Sequence, residues 1–128
     1  MKRLLISFMI IATGAVLALS PHTLAQNLPP VVSQKIQAAQ KQVKTIGMED
    51  YRKIVEHPGD VLIVDVREPN EFAAGHVPGA INIPRGVLEF QIWKQVGFPD
   101  NPDLSRNVIL QCQSGNRASL AAQSLEEL

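Results

Sequence analysis

The sequence predicts an α/β fold in which a parallel sheet is covered by helices on both faces. Three observations carry this expectation. Val61-Leu62-Ile63-Val64 and Val108-Ile109-Leu110 are unbroken aliphatic runs rich in β-branched residues, the pattern of strands buried on both sides. Stretches with helical spacing of apolar residues separate the strand-like runs, as in chains that build parallel sheets. Gly and Pro residues stand at the boundaries between them.

Residues 1–25 read as a secretory signal outside the fold. Lys2 and Arg3 form a charged start, Leu4 to Leu19 an apolar run, and Thr23-Leu24-Ala25 supplies the small residues that signal peptidase needs. The alternative is an uncleaved anchor. The run is shorter than the roughly 20 residues that span a bilayer comfortably, and Pro21 follows it closely, so cleavage after Ala25 is the expectation. Export to the periplasm follows, without stable membrane association once the signal is gone.

Residues 26–44 read as a leader and an amphipathic helix. Val32, Ile36, Ala39 and Val43 recur at spacings of four, three and four, with Gln and Lys opposite. That helix would form an extra layer or a loosely held arm. Thr45-Ile46 reads as a short strand, and Met48 to Glu56 as a helix with Tyr51, Ile54 and Val55 inward. His57-Pro58-Gly59-Asp60 is a turn before the first clear strand, Val61 to Val64, which closes at Asp65-Val66-Arg67. Pro69 suits the first turn of a short helix through Ala74, and Gly75 ends it. Ala80-Ile81-Asn82-Ile83 is the next strand, stopped by Pro84. Leu88, Ile92, Trp93 and Val96 mark a helix, Gly97 to Pro102 a loop, and Val108 to Gln111 the third clear strand. Ala118, Ala121, Ala122 and Leu125 line one face of a last helix.

Cleavage after Ala25 would remove 25 of the 128 residues and leave 103, enough for one domain and too few for two. Loss of Lys2 and Arg3 from the 12 basic residues leaves ten, against 12 acidic residues. Neither sign gathers in a block, which argues against a nucleic-acid partner. One cysteine and three scattered histidines indicate no metal site.

The lone cysteine carries the functional reading. A single Cys is most often a small buried hydrophobe. Cys112, however, stands where a strand ends and a helix begins, the end of a parallel sheet at which ligands bind. There the helix start turns unpaired N–H groups and its positive dipole end toward whatever sits in front of it. Gly115 permits a positive φ that turns loop amides inward into an anion-holding nest, and Arg117 adds a cation. The stretch Cys112-Gln113-Ser114-Gly115-Asn116-Arg117 therefore reads as a sulfur nucleophile, biased toward thiolate, facing an anionic substrate. An exported chain with one cysteine has no internal disulfide to make, so keeping the thiol there implies a use for it.

Three blocks occur in order: Asp65-Val66-Arg67-Glu68-Pro69-Asn70-Glu71-Phe72, Gly75-His76-Val77-Pro78-Gly79-Ala80-Ile81-Asn82-Ile83-Pro84, and Cys112 to Arg117. Together they resemble the rhodanese-like domain over residues 45–128. The resemblance implies an α/β fold with a five-stranded parallel core, and sulfurtransferase activity through a cysteine persulfide. Cys112 would take the outer sulfur of an anionic donor such as thiosulfate, and cyanide or a thiol would remove it, with no cofactor and no metal. Inward N–H groups from Gln113 to Arg117 would hold the negative sulfur. The family continues into a further strand and helix, whereas this sequence stops within a helical pattern at Ser124-Leu125-Glu126-Glu127-Leu128, so the expectation is a C-terminally incomplete domain.

Beside the loop, Arg117 either holds the donor or pairs with a carboxylate to fix the loop. Asp65, Arg67, Glu71 and His76 read as structural neighbours of the site, with an Arg67 to Glu71 ion pair and a turn-fixing hydrogen bond from His76. Two rival readings remain. One is a non-catalytic binding module of the same family. The other is a cysteine-dependent phosphatase or arsenate reductase, whose loops place five residues between Cys and Arg where this chain has four.

Overall fold

The computed structural model describes residues 28–128; the signal segment expected over residues 1–25 lies outside them. Among the described residues the chain forms α1 (Pro30–Gln42), α2 (Met48–Glu56), β1 (Leu62–Asp65), α3 (Pro69–Ala74), β2 (Ile81–Asn82), a 3-10 turn (Arg85–Val87), α4 (Leu88–Gln95), β3 (Val108–Gln111) and α5 (Asn116–Glu126).

The three strands pair in parallel in the order β2-β1-β3. The most apolar run takes the centre: all four residues of β1 are buried, whereas the flanking strands β2 and β3 are half-buried. Side chains of a strand alternate between faces, and β1 divides accordingly. Leu62, Val64 and Val66 pack with Ile83, Leu88, Ile92, Ala118 and Ala121 beneath α4 and α5. On the opposite face Asp65 meets Gln111, which in turn holds Tyr51 of α2. Helices thus cover both faces, as the sequence predicts. Full burial of an aliphatic side chain such as Val64 or Leu88 contributes about 1.5–3 kcal/mol, so this cluster anchors the strands whose ends carry the site.

The amphipathic stretch at the start of the described region is a packed layer and not a loose arm. Ile36, Ala39 and Val43 are buried, and Gln40 and Gln42 of α1 hydrogen-bond Asn116 and Gln123 of α5.

Two expectations change. Thr45-Ile46 forms no strand: Ile46 is exposed, and the Gly47 carbonyl already accepts the Tyr51 N–H as the first bond of α2. The sheet has three strands among the described residues, where the resemblance implied a five-stranded core whose last strand was expected to be missing here.

Candidate active site

The carboxyl ends of β1 and β3 lie side by side, with Asp65 in register with Gln111. Beyond β3 the chain turns through Cys112 to Ser114 and enters α5. Gly115, the residue before the helix, has φ +86° and ψ −17°, the left-handed region that glycine enters without steric cost. This turn aims two backbone donors at the half-buried sulfur: Gly115 N–H at 3.2 Å and Ala118 N–H at 3.4 Å from Cys112 Sγ. Both belong to the start of an 11-residue helix, where N–H groups lack intrahelical partners and the dipole is positive.

The amides that face the sulfur overlap the expected stretch only in part. The sequence points to Gln113 to Arg117; of these Gly115 donates to the sulfur, and Ala118, one residue beyond, is the second donor. Gln113 and Ser114 are exposed, and the Asn116 side chain accepts a bond from Gln40. Ala118 is silent in the sequence because an amide donates whatever side chain it carries.

The ion pairs also differ from expectation. Arg67 does not pair with Glu71. It grips Asp65 instead, with Nε 3.0 Å from both carboxylate oxygens and Nη2 2.6 Å from Oδ2, and Nη2 also donates to the Gly75 carbonyl at 2.8 Å. Residues two apart at a strand end fall on one side, so Arg67 reaches Asp65 at once. Glu71 pairs across 46 positions with Arg117, at 2.6 and 2.8 Å in a two-pronged contact. Of the two roles open to Arg117, the pairing role is the one the geometry displays. Glu71 also accepts the Glu68 N–H at 3.2 Å, which closes the first turn of α3.

These contacts set the charge states. Burial pushes the Asp65 carboxyl up, but hydrogen bonds from the Arg67 side chain and backbone and from Gln111 outweigh it and hold the group below its ordinary value. The Arg117 hydrogen bonds lower Glu71 to about 2 from the usual 4.5. Both acids are anions at neutral pH, and both arginines have counter-ions.

Three side chains that sequence reasoning passed over complete the corner. Gln111 Nε2 donates to Asp65 Oδ2 at 2.8 Å, and Tyr51 Oη donates to Gln111 Oε1 at 2.5 Å. Asn82 Nδ2 donates to the carbonyls of Asp65 and Arg67, both at 2.9 Å. A polar residue closing an apolar strand opposite a second strand-end carboxylate was the available signal for Gln111. His76 holds the turn as expected: Nδ1 lies 2.9 Å from the Phe72 carbonyl, and the ring stacks on Phe72.

An open cavity of about 420 Å³ lies in front of the sulfur. Its lining comprises Arg67, Gly75, His76, Val77, Pro78, Gln111, Cys112 and Gln113. It joins the ends of β1 and β3 to the loop after α3, so all three sequence blocks meet at one place.

A parallel α/β sheet that presents one cysteine on an amide-lined turn defines a class of cysteine-loop proteins, and comparison narrows it. The family model for the rhodanese-like domain matches residues 48–128, and the chain belongs to that family. It is 37% identical over 89 residues to a thiosulfate:glutathione sulfurtransferase of Saccharomyces cerevisiae, a match covering 62% of each chain. Among solved structures it resembles the human single-domain sulfurtransferase TSTD1, with TM-score 0.53, 29% identity, and 66% of this chain and 80% of that one covered. It also resembles a protein of unknown function from Rhodopseudomonas palustris, described as a possible tyrosine phosphatase, with TM-score 0.64, 26% identity and 80% of each chain covered.

Proposed function

We propose that the protein moves a sulfane sulfur from a small anionic donor such as thiosulfate to cyanide or a thiol through a persulfide on Cys112. The observation that carries this reading is the pair of N–H groups from Gly115 and Ala118 directed at Sγ in front of an open cavity. The family and its named sulfurtransferase relatives support it.

The chemistry balances in two displacements. Cys112 thiolate attacks the outer sulfur of thiosulfate; the S–S bond breaks, its electron pair leaves with sulfite, and Cys112 holds a persulfide anion. The carbon of cyanide, or a thiolate, then attacks the terminal sulfur and departs as thiocyanate or a new persulfide, restoring the Cys112 thiolate. The enzyme sulfur carries negative charge before and after each step, and fixed N–H dipoles stabilise such charge without reorganising. No proton needs to move between enzyme groups, which leaves His76 free to hold its turn. This is covalent catalysis with ping-pong kinetics.

A phosphatase reading fits the loop less well. Four residues separate Cys112 from Arg117, and both Arg117 Nη atoms are engaged by Glu71. The site's location in the cell belongs to the same proposal. The charged start, apolar run and small residues at Thr23 and Ala25 support export to the periplasm, where Cys112 would work without a disulfide partner in its own chain.

The test is thiosulfate-to-cyanide transfer, read as thiocyanate, by the wild-type chain and by Cys112→Ala. Turnover in the wild type and none in the variant is the expected outcome. Equal turnover in both would remove Cys112 from the mechanism, and hydrolysis of an aryl phosphate with no sulfur transfer would replace the reading.

A further inference from the structure

Two arginines stand near Cys112, and their place relative to the cavity separates them. A guanidinium carries five N–H groups. Arg117 turns both of its Nη atoms on Glu71, and it does not line the cavity. Arg67 commits Nε to Asp65 and Nη2 to Asp65 and the Gly75 carbonyl. Its two Nη1 hydrogens meet no acceptor among the described residues. Arg67 lines the cavity beside Gln111 and Cys112, and it is the one permanently charged residue in that lining.

The order of the charges matters as much as their number. Asp65 has no exposed side-chain surface, whereas 17% of the Arg67 side chain is exposed. The carboxylate thus lies behind the guanidinium as seen from the cavity and locks its plane, so that an incoming anion meets the cation first. Gln111, tied to Asp65 and Tyr51, holds the acid from its other side.

We propose that Arg67 is a specificity-determining residue that takes the oxyanion end of an anionic sulfane donor on Nη1 while the donor's outer sulfur meets Cys112 Sγ. The inference rests on the sulfur-transfer reading and adds a residue to it. With thiosulfate, Arg67 holds the sulfonate oxygens before the S–S bond breaks and the sulfite after it, so charge is favoured on the leaving group and not only on the enzyme sulfur. A donor without an oxyanion gains nothing from Arg67.

The experiment compares loading of Cys112 in the wild-type chain and in Arg67→Lys by single-turnover mass spectrometry. The lysine keeps a cation against Asp65 and removes the Nη1 donors. For thiosulfate, the half-saturating concentration should rise about tenfold, the size expected for a lost charge-assisted contact. For a neutral dialkyl trisulfide, whose outer sulfur is attacked so that Cys112 gains an alkylthio group and a hydropersulfide anion leaves, loading should change less than about twofold on the same reasoning. Equal slowing with both donors, or an unchanged response to thiosulfate, overturns the proposal. If Arg67→Lys does not fold, Asp65→Asn with Arg67→Gln leaves no buried unpaired charge and carries the same expectation. Should no donor load the wild type, the sulfur-transfer reading falls and calorimetric titration with thiosulfate decides this inference alone. Tighter binding to Cys112→Ser than to Cys112→Ser with Arg67→Lys supports it; equal binding, or none, overturns it.

Discussion

Two neighbouring strand ends bear the site, and they are built in opposite ways. The corner after β1 is fixed by side chains: Asp65 accepts from Arg67 and Gln111, and Asn82 ties the backbone on either side of the bend. The turn after β3 is fixed by backbone: Gly115 and Ala118 point their amides at the sulfur while Gln113 and Ser114 lie exposed. The corner is rigid because every buried polar group in it has partners, and such networks are costly to break singly. The turn keeps a sulfur whose hydrogen-bond donors are backbone amides alone, and so leaves it open to the cavity. Rigidity and reactivity are thus assigned to different chemistries one strand apart.

The largest effect expected from disturbing this division is on stability. Asp65→Ala removes the acid behind Arg67 and strands the Gln111 amide, and loss of one partner from a buried pair costs about 3–5 kcal/mol. Chemical denaturation of wild type and variant measures it. A loss below about 1 kcal/mol, the size typical of an exposed pair, would mean that the corner is not the rigid half.

Gly115→Ala should reverse the pattern. An added Cβ meets nothing within 4 Å, so the cost is the left-handed backbone alone, about 1 kcal/mol. Relaxing φ swings the Gly115 N–H away from Sγ, and sulfur loading should slow roughly 10-fold to 100-fold, below the range for complete loss of one oxyanion donor because Ala118 N–H remains. Rapid-quench loading kinetics beside a thermal melt separate the two effects; a large stability loss with unchanged loading would erase the distinction.

The smallest effect belongs to the link between the halves, Glu71 on α3 with Arg117 on α5. Glu71 is lowered to about 2 from 4.5 by Arg117, so its folded form binds its proton less readily than the unfolded chain does. Its contribution is complete above about pH 4.5 and fades as pH falls toward about 2. Glu71→Gln should therefore cost less than Asp65→Ala at pH 7, and the gap between wild type and variant should narrow through that acid window. Melting profiles against pH check the sign; a gap that widens on acidification contradicts it.

The strands were legible because unbroken aliphatic runs such as Val61 to Val64 have few other uses, and α5 because Ala118 and Ala121 repeat at helical spacing. The turn was legible for a related reason, since Cys112, Gly115 and Arg117 are local and their spacing is fixed by the chain. What escaped was non-local or written in the backbone. Glu71 finds Arg117 only after α3 and α5 come together, so the sequence pattern favoured a partner four residues away at Arg67. Tyr51 reaches Gln111 from a helix sixty positions earlier. Ala118 offers an amide that no side chain advertises.

The most direct measurement is the intact mass of the reduced, full chain after thiosulfate, with the modified residue located by fragmentation. The account predicts a gain of one sulfur atom on Cys112, released as thiocyanate when cyanide is added, and no gain in Cys112→Ala. An unmodified Cys112 under these conditions, or the same gain in the alanine variant, would contradict it.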